Sequence, residues 1–159
     1  MTRILPAVLV LACLALVACG SSGPVRRVSE PAASLQQLTV RADGSWSVEL
    51  RINNYSTVPM RFDAVSLALT VGGEAAGTLQ GAAALTIGPE SADVATLSMS
   101  PSTGARVRIA DALAARRSIE YALHGTVTAA ATDGGKARSY EIDRTSALSP
   151  VPGLPGVLR

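Results

Sequence analysis

The sequence predicts an all-β sandwich, and three observations lead to this prediction. Apolar and polar residues alternate with a period of two over most of residues 34–146, which is typical of half-buried strands. Turn-forming Gly, Asp and Pro residues divide this region into about seven such segments. One segment alone has helical spacing. Two sheets that bury their apolar faces against each other accommodate this pattern. The core must be chiefly Val, Leu, Ile and Ala, because aromatic residues make up only 3% of the chain.

The first predicted hairpin contains the clearest strand, SWSVELRIN. One face of this strand carries the apolar residues Trp46, Val48, Leu50 and Ile52. The Ser, Glu and Arg residues between them share the other face. A weaker strand, LQQLTVR, precedes it, and Ala42-Asp43-Gly44 predicts the hairpin turn. Trp46 begins the apolar face and is therefore expected to anchor the core.

The next segment changes phase within one extended stretch. Met60 and Phe62 set one parity, and the alternate apolar residues from Val65 to Val71 set the opposite one. This change predicts a β-bulge near Asp63-Ala64, or a strand that crosses from one sheet to the other there. Gly72-Gly73 then predicts a turn.

The middle of the chain predicts further strand segments. They are EAAGTLQG (74–81), AAALTI (82–87) and DVATLSM (93–99). Gly77 and Gly81 are predicted to lie at bends or bulges. Pro89 ends the second segment and Pro101 ends the third, because proline cannot donate a hydrogen bond to a strand ladder.

The segment ARVRIADALAARRS (105–118) interrupts the β pattern. Ile109 and Leu113 lie four residues apart, and Arg116-Arg117 comes at the end, where cations stabilise a helix. We expect a short helix here, with an alanine-rich loop as the alternative. The last predicted hairpin joins SIEYALHGTVTA (118–129) to ARSYEIDR (137–144) through the turn TDGGK.

The N-terminus predicts a signal for export. Arg3 precedes an apolar run, residues 4–18, that is short for a membrane-spanning helix of roughly 20 residues but fits a signal peptide. A buried core helix is the alternative. The sequence Leu16-Val17-Ala18-Cys19 resembles the bacterial lipobox, in which a small residue precedes the cysteine whose thiol receives a diacylglycerol.

The lipobox resemblance implies a mature lipoprotein that begins at Cys19 and carries palmitate-type acyl chains. Several such chains anchor a protein stably in a membrane. Gly20 follows the cysteine and no Asp stands there, which favours the outer membrane, facing the periplasm, over the inner membrane. Cys13 would be lost with the leader, so neither a disulfide nor a zinc–thiolate site is expected.

Four regions are predicted on this basis. They are a signal peptide (1–18), the lipidated cysteine with a flexible tether (19–33), the sandwich (34–146) and a Pro/Gly-rich tail (147–159). Arg26-Arg27 in the tether either contacts anionic lipid headgroups or belongs to a solvated linker. LSPVPGLPGVLR (148–159) is expected to be a tail rather than a strand, packed along the domain or mobile.

Charge and chemistry exclude several classes of function. Without Arg3 the chain has 13 basic and 12 acidic side chains, so no nucleic-acid partner is expected. His124, the single histidine, is predicted to point outward and cannot form a multi-histidine metal site. Glu141 and Asp143 share one face of a strand, either as a weak cation site or as ordinary solvated surface. The sequence predicts no catalytic residue, no metal and no cofactor besides the covalent lipid on Cys19.

The stretch VELRINNYSTVPMRFDAVSLALTVGGEAAGTLQG resembles the late embryogenesis abundant group-two family, whose domain is also called the water stress and hypersensitive response (WHy) domain. It shares an alternating strand, an Asn-rich corner, a long strand and a glycine turn. Together with IGPESADVATLSMS and IEYALHGTV, in which Gly125 has a typical place, the resemblance covers residues 35–145. The family's corner is typically Asn-Pro-Asn, whereas this chain has Asn53-Asn54-Tyr55. Asn53 matches the first position and is expected to have the structural role at the corner.

The resemblance implies a β-sandwich of fibronectin-III or immunoglobulin type with one short helix, and a non-enzymatic protein that protects against desiccation and other water stress. We therefore expect a membrane-anchored, holdase-like module whose partners are the membrane and unfolded or stressed envelope proteins. The alternative is an interaction subunit that docks a larger cell-envelope assembly through a strand edge or the C-terminal tail. An enzyme is the hypothesis with the least support.

Overall fold

The structure, a computed structural model, describes residues 25–159, and within this range the chain forms eight strands and one helix. The elements are β1 (Ala32–Val40), β2 (Trp46–Asn54), β3 (Met60–Val71), β4 (Glu74–Ile87), β5 (Ser91–Met99), α1 (Thr103–Ala115), β6 (Ile119–Ala131), β7 (Arg138–Leu148) and β8 (Val157–Leu158). The predicted leader, the lipobox and Cys19 lie outside the described residues. Helix α1 is too short to cross a membrane, and the described residues contain no helix that is long and apolar enough to do so.

The strands form two antiparallel sheets, which confirms the predicted β-sandwich. The order is β5-β2-β1-β8 in the first sheet and β4-β3-β6-β7 in the second. The hairpins β1–β2, β3–β4 and β6–β7 stay within a sheet, whereas the other connections pass from one sheet to the other. This arrangement is immunoglobulin-like. The eighth strand comes from the segment that was expected to be a tail.

The core lies between the sheets, and strand β2 shows how the period of two builds it. Trp46 is 1% exposed, and Val48, Leu50 and Ile52 are fully buried, as the alternation predicts. Phe62 from the second sheet joins the same buried cluster. Tyr121 from β6 is also buried, and its hydroxyl accepts a hydrogen bond from Leu35 N at 3.1 Å.

The predicted bulge in β3 is confirmed. The pairing register shifts between Phe62 and Ala64 against both neighbouring strands. The strand pairs with β4 and β6 on both sides of this shift, so the alternative, a crossing between sheets, is wrong. Opposite the bulge, β4 has extra residues of its own, and Ala84 has a φ of 50°.

The two segments predicted over residues 74–87 are one continuous strand, β4. Gly77 has a φ of 133° and lies beside a register shift, so its predicted place at a bulge is confirmed. The prediction of a bend or bulge at Gly81 is wrong, because this residue pairs in regular register with Val65. A Cβ on Gly81 would lie 2.7 Å from a methyl group of Leu97, so the missing side chain makes room for β5 instead.

Helix α1 confirms the prediction of a short helix. The alternative prediction, an alanine-rich loop, is therefore wrong. The Ser102 side chain caps its N-terminus by accepting a hydrogen bond from Ala105 N at 3.2 Å. Its C-terminal cap, Arg116, takes the left-handed conformation with φ 51° and ψ 41°. The helix buries Ala105, Ile109 and Ala112 against the sandwich.

Within residues 25–159, regular structure extends on both sides of the predicted sandwich, residues 34–146. Strand β1 begins at Ala32, inside the predicted tether, and Ala33 is buried. Residues 25–31 precede it and are bound to the sandwich by hydrogen bonds. At the other end, residues 157–158 form β8. The boundaries of the folded domain are therefore wider than residues 34–146.

Candidate functional site

A polar corner lies where β2 passes to β3, at the end of the sandwich where β1 begins. Asn54 is 1% exposed there. Its Nδ2 donates to the carbonyl oxygens of Val58, Ile87 and Gly88 at 3.0, 3.1 and 2.9 Å. Its Oδ1 accepts from Ser56 N at 2.9 Å. One side chain therefore joins the β2–β3 corner to the turn after β4.

The corner role was predicted for Asn53, and the structure gives it to Asn54. Asn53 pairs with Ala32 and Ala92 within the first sheet and is only half-buried, on the face that Arg51 shares. The inward parity that begins at Trp46 continues through Ile52 to Asn54. That parity was the signal in the sequence that could have identified the buried asparagine.

The segment before β1 is fastened to this corner. Thr57 Oγ1 accepts from Arg27 N at 2.9 Å and donates to Val25 O at 2.7 Å. Ser56 Oγ, which is fully buried, accepts from Ser29 N at 3.0 Å. We call residues 25–31 the N-terminal strap, because they run across the corner and are bound at several points.

Both arginines of the strap contact acidic side chains of the sandwich. Arg26 makes two hydrogen bonds to the carboxylate of Asp133, at 2.8 and 2.9 Å. These hydrogen bonds, together with the positive charge of Arg26, hold the pKa of Asp133 below its ordinary value of 3.8. Arg27 Nη2 lies 3.5 Å from a carboxylate oxygen of Glu90. The arginine pair is exposed to solvent, but these contacts attach it to the sandwich, and its contact with lipid headgroups stays a prediction.

The opposite end of the sandwich carries a second feature, which we call the C-terminal hairpin (residues 149–159). Backbone hydrogen bonds join Ser149 to Arg159, and Pro150 forms a β-bridge to Leu158. Strand β8 pairs with Leu38 and Thr39 of β1. The expectation of a tail without strand is wrong here, because neither paired residue of β8 is a proline and both can join a ladder.

Two successive Pro-Gly turns shape the loop of this hairpin. Leu154 N donates to Val151 O at 3.1 Å, and Val157 N donates to Leu154 O at 3.3 Å. The glycines of the two turns, Gly153 and Gly156, have φ values of 80° and 75°. A proline followed by a glycine with positive φ is the preferred pair at the centre of a type II turn. Because each proline restricts φ, the loop is conformationally restricted before any partner meets it.

An open apolar cleft separates this loop from helix α1. Its volume is about 670 Å³, and its walls are Leu113, Arg116 and residues 150–156. Leu154 stands at its edge and is 49% exposed. A smaller cavity of about 230 Å³ adjoins it at Leu113. The walls of the smaller cavity include Val40, Trp46, Arg106, Ile109 and Ala110.

The titratable residues singled out in the sequence lie elsewhere, on the outer face of the second sheet. His124 is exposed, as its predicted outward direction requires, and pairs in register with Asp143. Glu141 is exposed on the same face. Within residues 25–159 no group of three or more His, Cys, Asp or Glu side chains is placed to hold a metal ion.

Comparison with known proteins identifies similar folds. No family model and no curated protein matches the sequence. The solution structure of an Arabidopsis thaliana protein is similar with a TM-score of 0.51 and 11% identity, over 83% of this chain and 89% of that chain. A structural genomics target solved by X-ray crystallography has a TM-score of 0.47 and 13% identity, over 80% and 92% of the two chains. A protein from Archaeoglobus fulgidus has a TM-score of 0.42 and 13% identity, over 79% and 98%. At such identities the Arabidopsis structure shows a shared all-β fold and nothing about activity.

Proposed function

We propose that this protein is a non-enzymatic, membrane-anchored protective module of the late embryogenesis abundant group-two (WHy) type, which limits aggregation of envelope proteins under water stress. The observation that carries this proposal is the open apolar cleft between α1 and the C-terminal hairpin. Such a cleft can receive an apolar segment that a failing neighbour exposes. The resemblance over residues 35–145 supports the same assignment.

The proposed lipid anchor determines which way the cleft faces relative to the membrane. From Cys19 to Val25 the chain advances six residues, which span at most about 20 Å. The N-terminal strap then holds the corner end of the sandwich close to the membrane. Strand β1 runs for nine residues, about 30 Å, from the corner towards the cleft. The cleft would therefore face away from the lipid, towards other proteins.

Substitution of the lipobox cysteine tests the anchor. We expect Cys19→Ser to leave an unprocessed or soluble precursor that takes up no radiolabelled palmitate, because the serine hydroxyl does not replace the thiol in lipid transfer. Fractionation of membranes from cells that produce either form is the measurement. Palmitate retained on the Cys19→Ser protein would contradict the proposed anchor.

An aggregation assay tests the protective role. We expect residues 25–159 to slow aggregation of a test enzyme during drying or freeze–thaw, followed by light scattering and recovered activity. His124→Ala and Glu141→Ala are matched controls that should protect equally well, because both residues lie on the outer sheet face away from the cleft. Protection no better than an equal mass of albumin, with unchanged desiccation survival of a deletion strain, would remove this function.

A second candidate is an interaction subunit of a larger envelope assembly, and the ordered C-terminal hairpin favours it. Its loop presents Leu154 on a backbone that is restricted by two Pro-Gly turns, which lowers the entropy lost on binding. The free edge strand β7 is a weaker docking site, since exposed charges such as Glu141 and Arg144 oppose strand pairing. Recovery of one stoichiometric partner in a pull-down, lost when the hairpin is deleted, would support this candidate.

A further inference from the structure

The charge around the cleft is of one sign. Arg116 is the only charged residue in the wall of the larger cavity, and Arg106 is the only one in the wall of the smaller cavity. Among the described residues neither guanidinium forms an ion pair. Arg108, on the same helix, differs from them because it lies 3.3 Å from a carboxylate oxygen of Glu74. The cleft and the smaller cavity that adjoins it thus have one arginine each, and the charge of neither is neutralised within the described chain.

The shape of the cleft favours a protein segment over a small molecule. Sites for small ligands usually enclose most of the ligand surface. Here one wall is a loop that is itself exposed, and Leu154 projects from it. The groove can receive a side chain of the partner, and the exposed apolar side chain beside it can insert into the partner's surface.

We propose that the cleft binds an apolar protein segment that carries acidic side chains, and this inference rests on the non-enzymatic binding role proposed above. Carboxylates would pair with the guanidinium groups of Arg106 and Arg116, while aliphatic side chains pack between Leu113 and Leu154. A dimer in which two copies of this chain face each other through their clefts is disfavoured, because both clefts carry the same positive charge. Charge complementarity therefore favours a partner protein that presents an acidic and apolar segment.

Binding of two model peptides tests the inference. The probe is a fluorescein-labelled peptide in which leucine and glutamate alternate, and the comparison peptide alternates leucine and lysine. The full chain is used as cells produce it, in lipid nanodiscs if it is membrane-bound, and fluorescence anisotropy follows binding. We expect saturable binding of the Leu–Glu peptide and affinity for the Leu–Lys peptide that is weaker by about tenfold or more.

Variants assign the preference to the cleft. The double substitution Arg106→Glu with Arg116→Glu should weaken Leu–Glu binding about tenfold and improve Leu–Lys binding, because it reverses the charge at the rim. The corresponding double lysine variant should keep the original preference, since it keeps the charge. Leu154→Ser should weaken binding of both peptides, because it removes the apolar edge. Arg51→Glu, on the outer face of the first sheet, is the matched control and should change nothing.

Several results would overturn the inference: equal affinity for the two peptides, the same loss with Arg51→Glu, or concentration-dependent self-association that the charge reversal abolishes. Binding of laurate with the same arginine dependence, without binding of the Leu–Glu peptide, would overturn it in favour of an anionic amphiphile. Circular dichroism of each variant separates lost binding from lost folding. The aggregation assay keeps the two proposals apart, because protection without any peptide preference retains the protective function and removes only the acidic-segment partner.

Discussion

Substitution of the buried corner asparagine gives the sharpest test of the structure. Asn54→Ala removes an Nδ2 group that faces three carbonyl oxygens and an Oδ1 that accepts from Ser56 N. Because Nδ2 has two protons for three acceptors, the side chain supplies about three hydrogen bonds, each worth about 1 kcal/mol net. We therefore expect Asn54→Ala to reduce the free energy of unfolding by about 3 kcal/mol.

The adjacent residue is the matched control. Asn53→Ala should cost less than about 0.5 kcal/mol, because Asn53 is half-buried on the outer sheet face. Thermal and denaturant unfolding of residues 25–159 measures both variants, and a loss of about 3 kcal/mol lowers Tm by about 10 °C in a domain of this size. A larger effect for Asn53→Ala than for Asn54→Ala would refute the assignment of the corner role to Asn54.

Three further predictions concern the core, a close backbone approach and the strap. Trp46→Ala should cost about 3–5 kcal/mol because the side chain is only 1% exposed, and an unchanged denaturant midpoint would show that the inward face of β2 is misassigned. Gly125→Ala should reduce the free energy of unfolding by about 3 kcal/mol or more, measured by the same unfolding assay, because φ is 151° and a Cβ would overlap the backbone oxygen of Ser66 in β3; wild-type stability would contradict this packing. The interaction with Arg26 lowers the pKa of Asp133, so the ionised Asp133 carboxylate stabilises the strap at neutral pH. This stabilisation is lost as the pH falls from 3.8 through the lower pKa that Asp133 has in the folded state. Asp133→Asn should therefore increase amide hydrogen exchange in the strap at pH 7, and exchange equal to that of the unsubstituted protein would contradict the role of this pair.

Elements whose structure depends only on residues that are close together in the sequence could be predicted from it. The alternation from Trp46 to Ile52 predicts which face of β2 is buried, because successive side chains of a strand point to opposite faces wherever the strand lies. The phase change between Phe62 and Val65 predicts the bulge in β3 for the same reason. The helix and the Gly72-Gly73 turn likewise follow from spacing and residue type.

The sites depend on contacts between distant parts of the chain, and these were not predicted. Asn54 meets the carbonyl of Ile87, 33 residues away, so its role depends on how the corner meets the turn after β4. Gly81 is needed for the close approach of Leu97, which only the packing of the two sheets creates. The Pro/Gly-rich tail has no strand pattern of its own, and it becomes a hairpin because β1 offers a free edge.

The sequence by itself therefore determined the fold class and the buried strand faces, since each depends on a short local pattern. Lipidation at Cys19 stays a prediction from such a pattern. Only the tertiary structure decided where the corner is fastened, how the N-terminal strap is held and where the apolar cleft forms. The cleft lies between α1 and the C-terminal hairpin. Its walls come from segments more than thirty residues apart, and no local pattern records that they meet. The physical reason is that side-chain direction is a property of the local backbone, whereas a cavity is a property of how the elements pack.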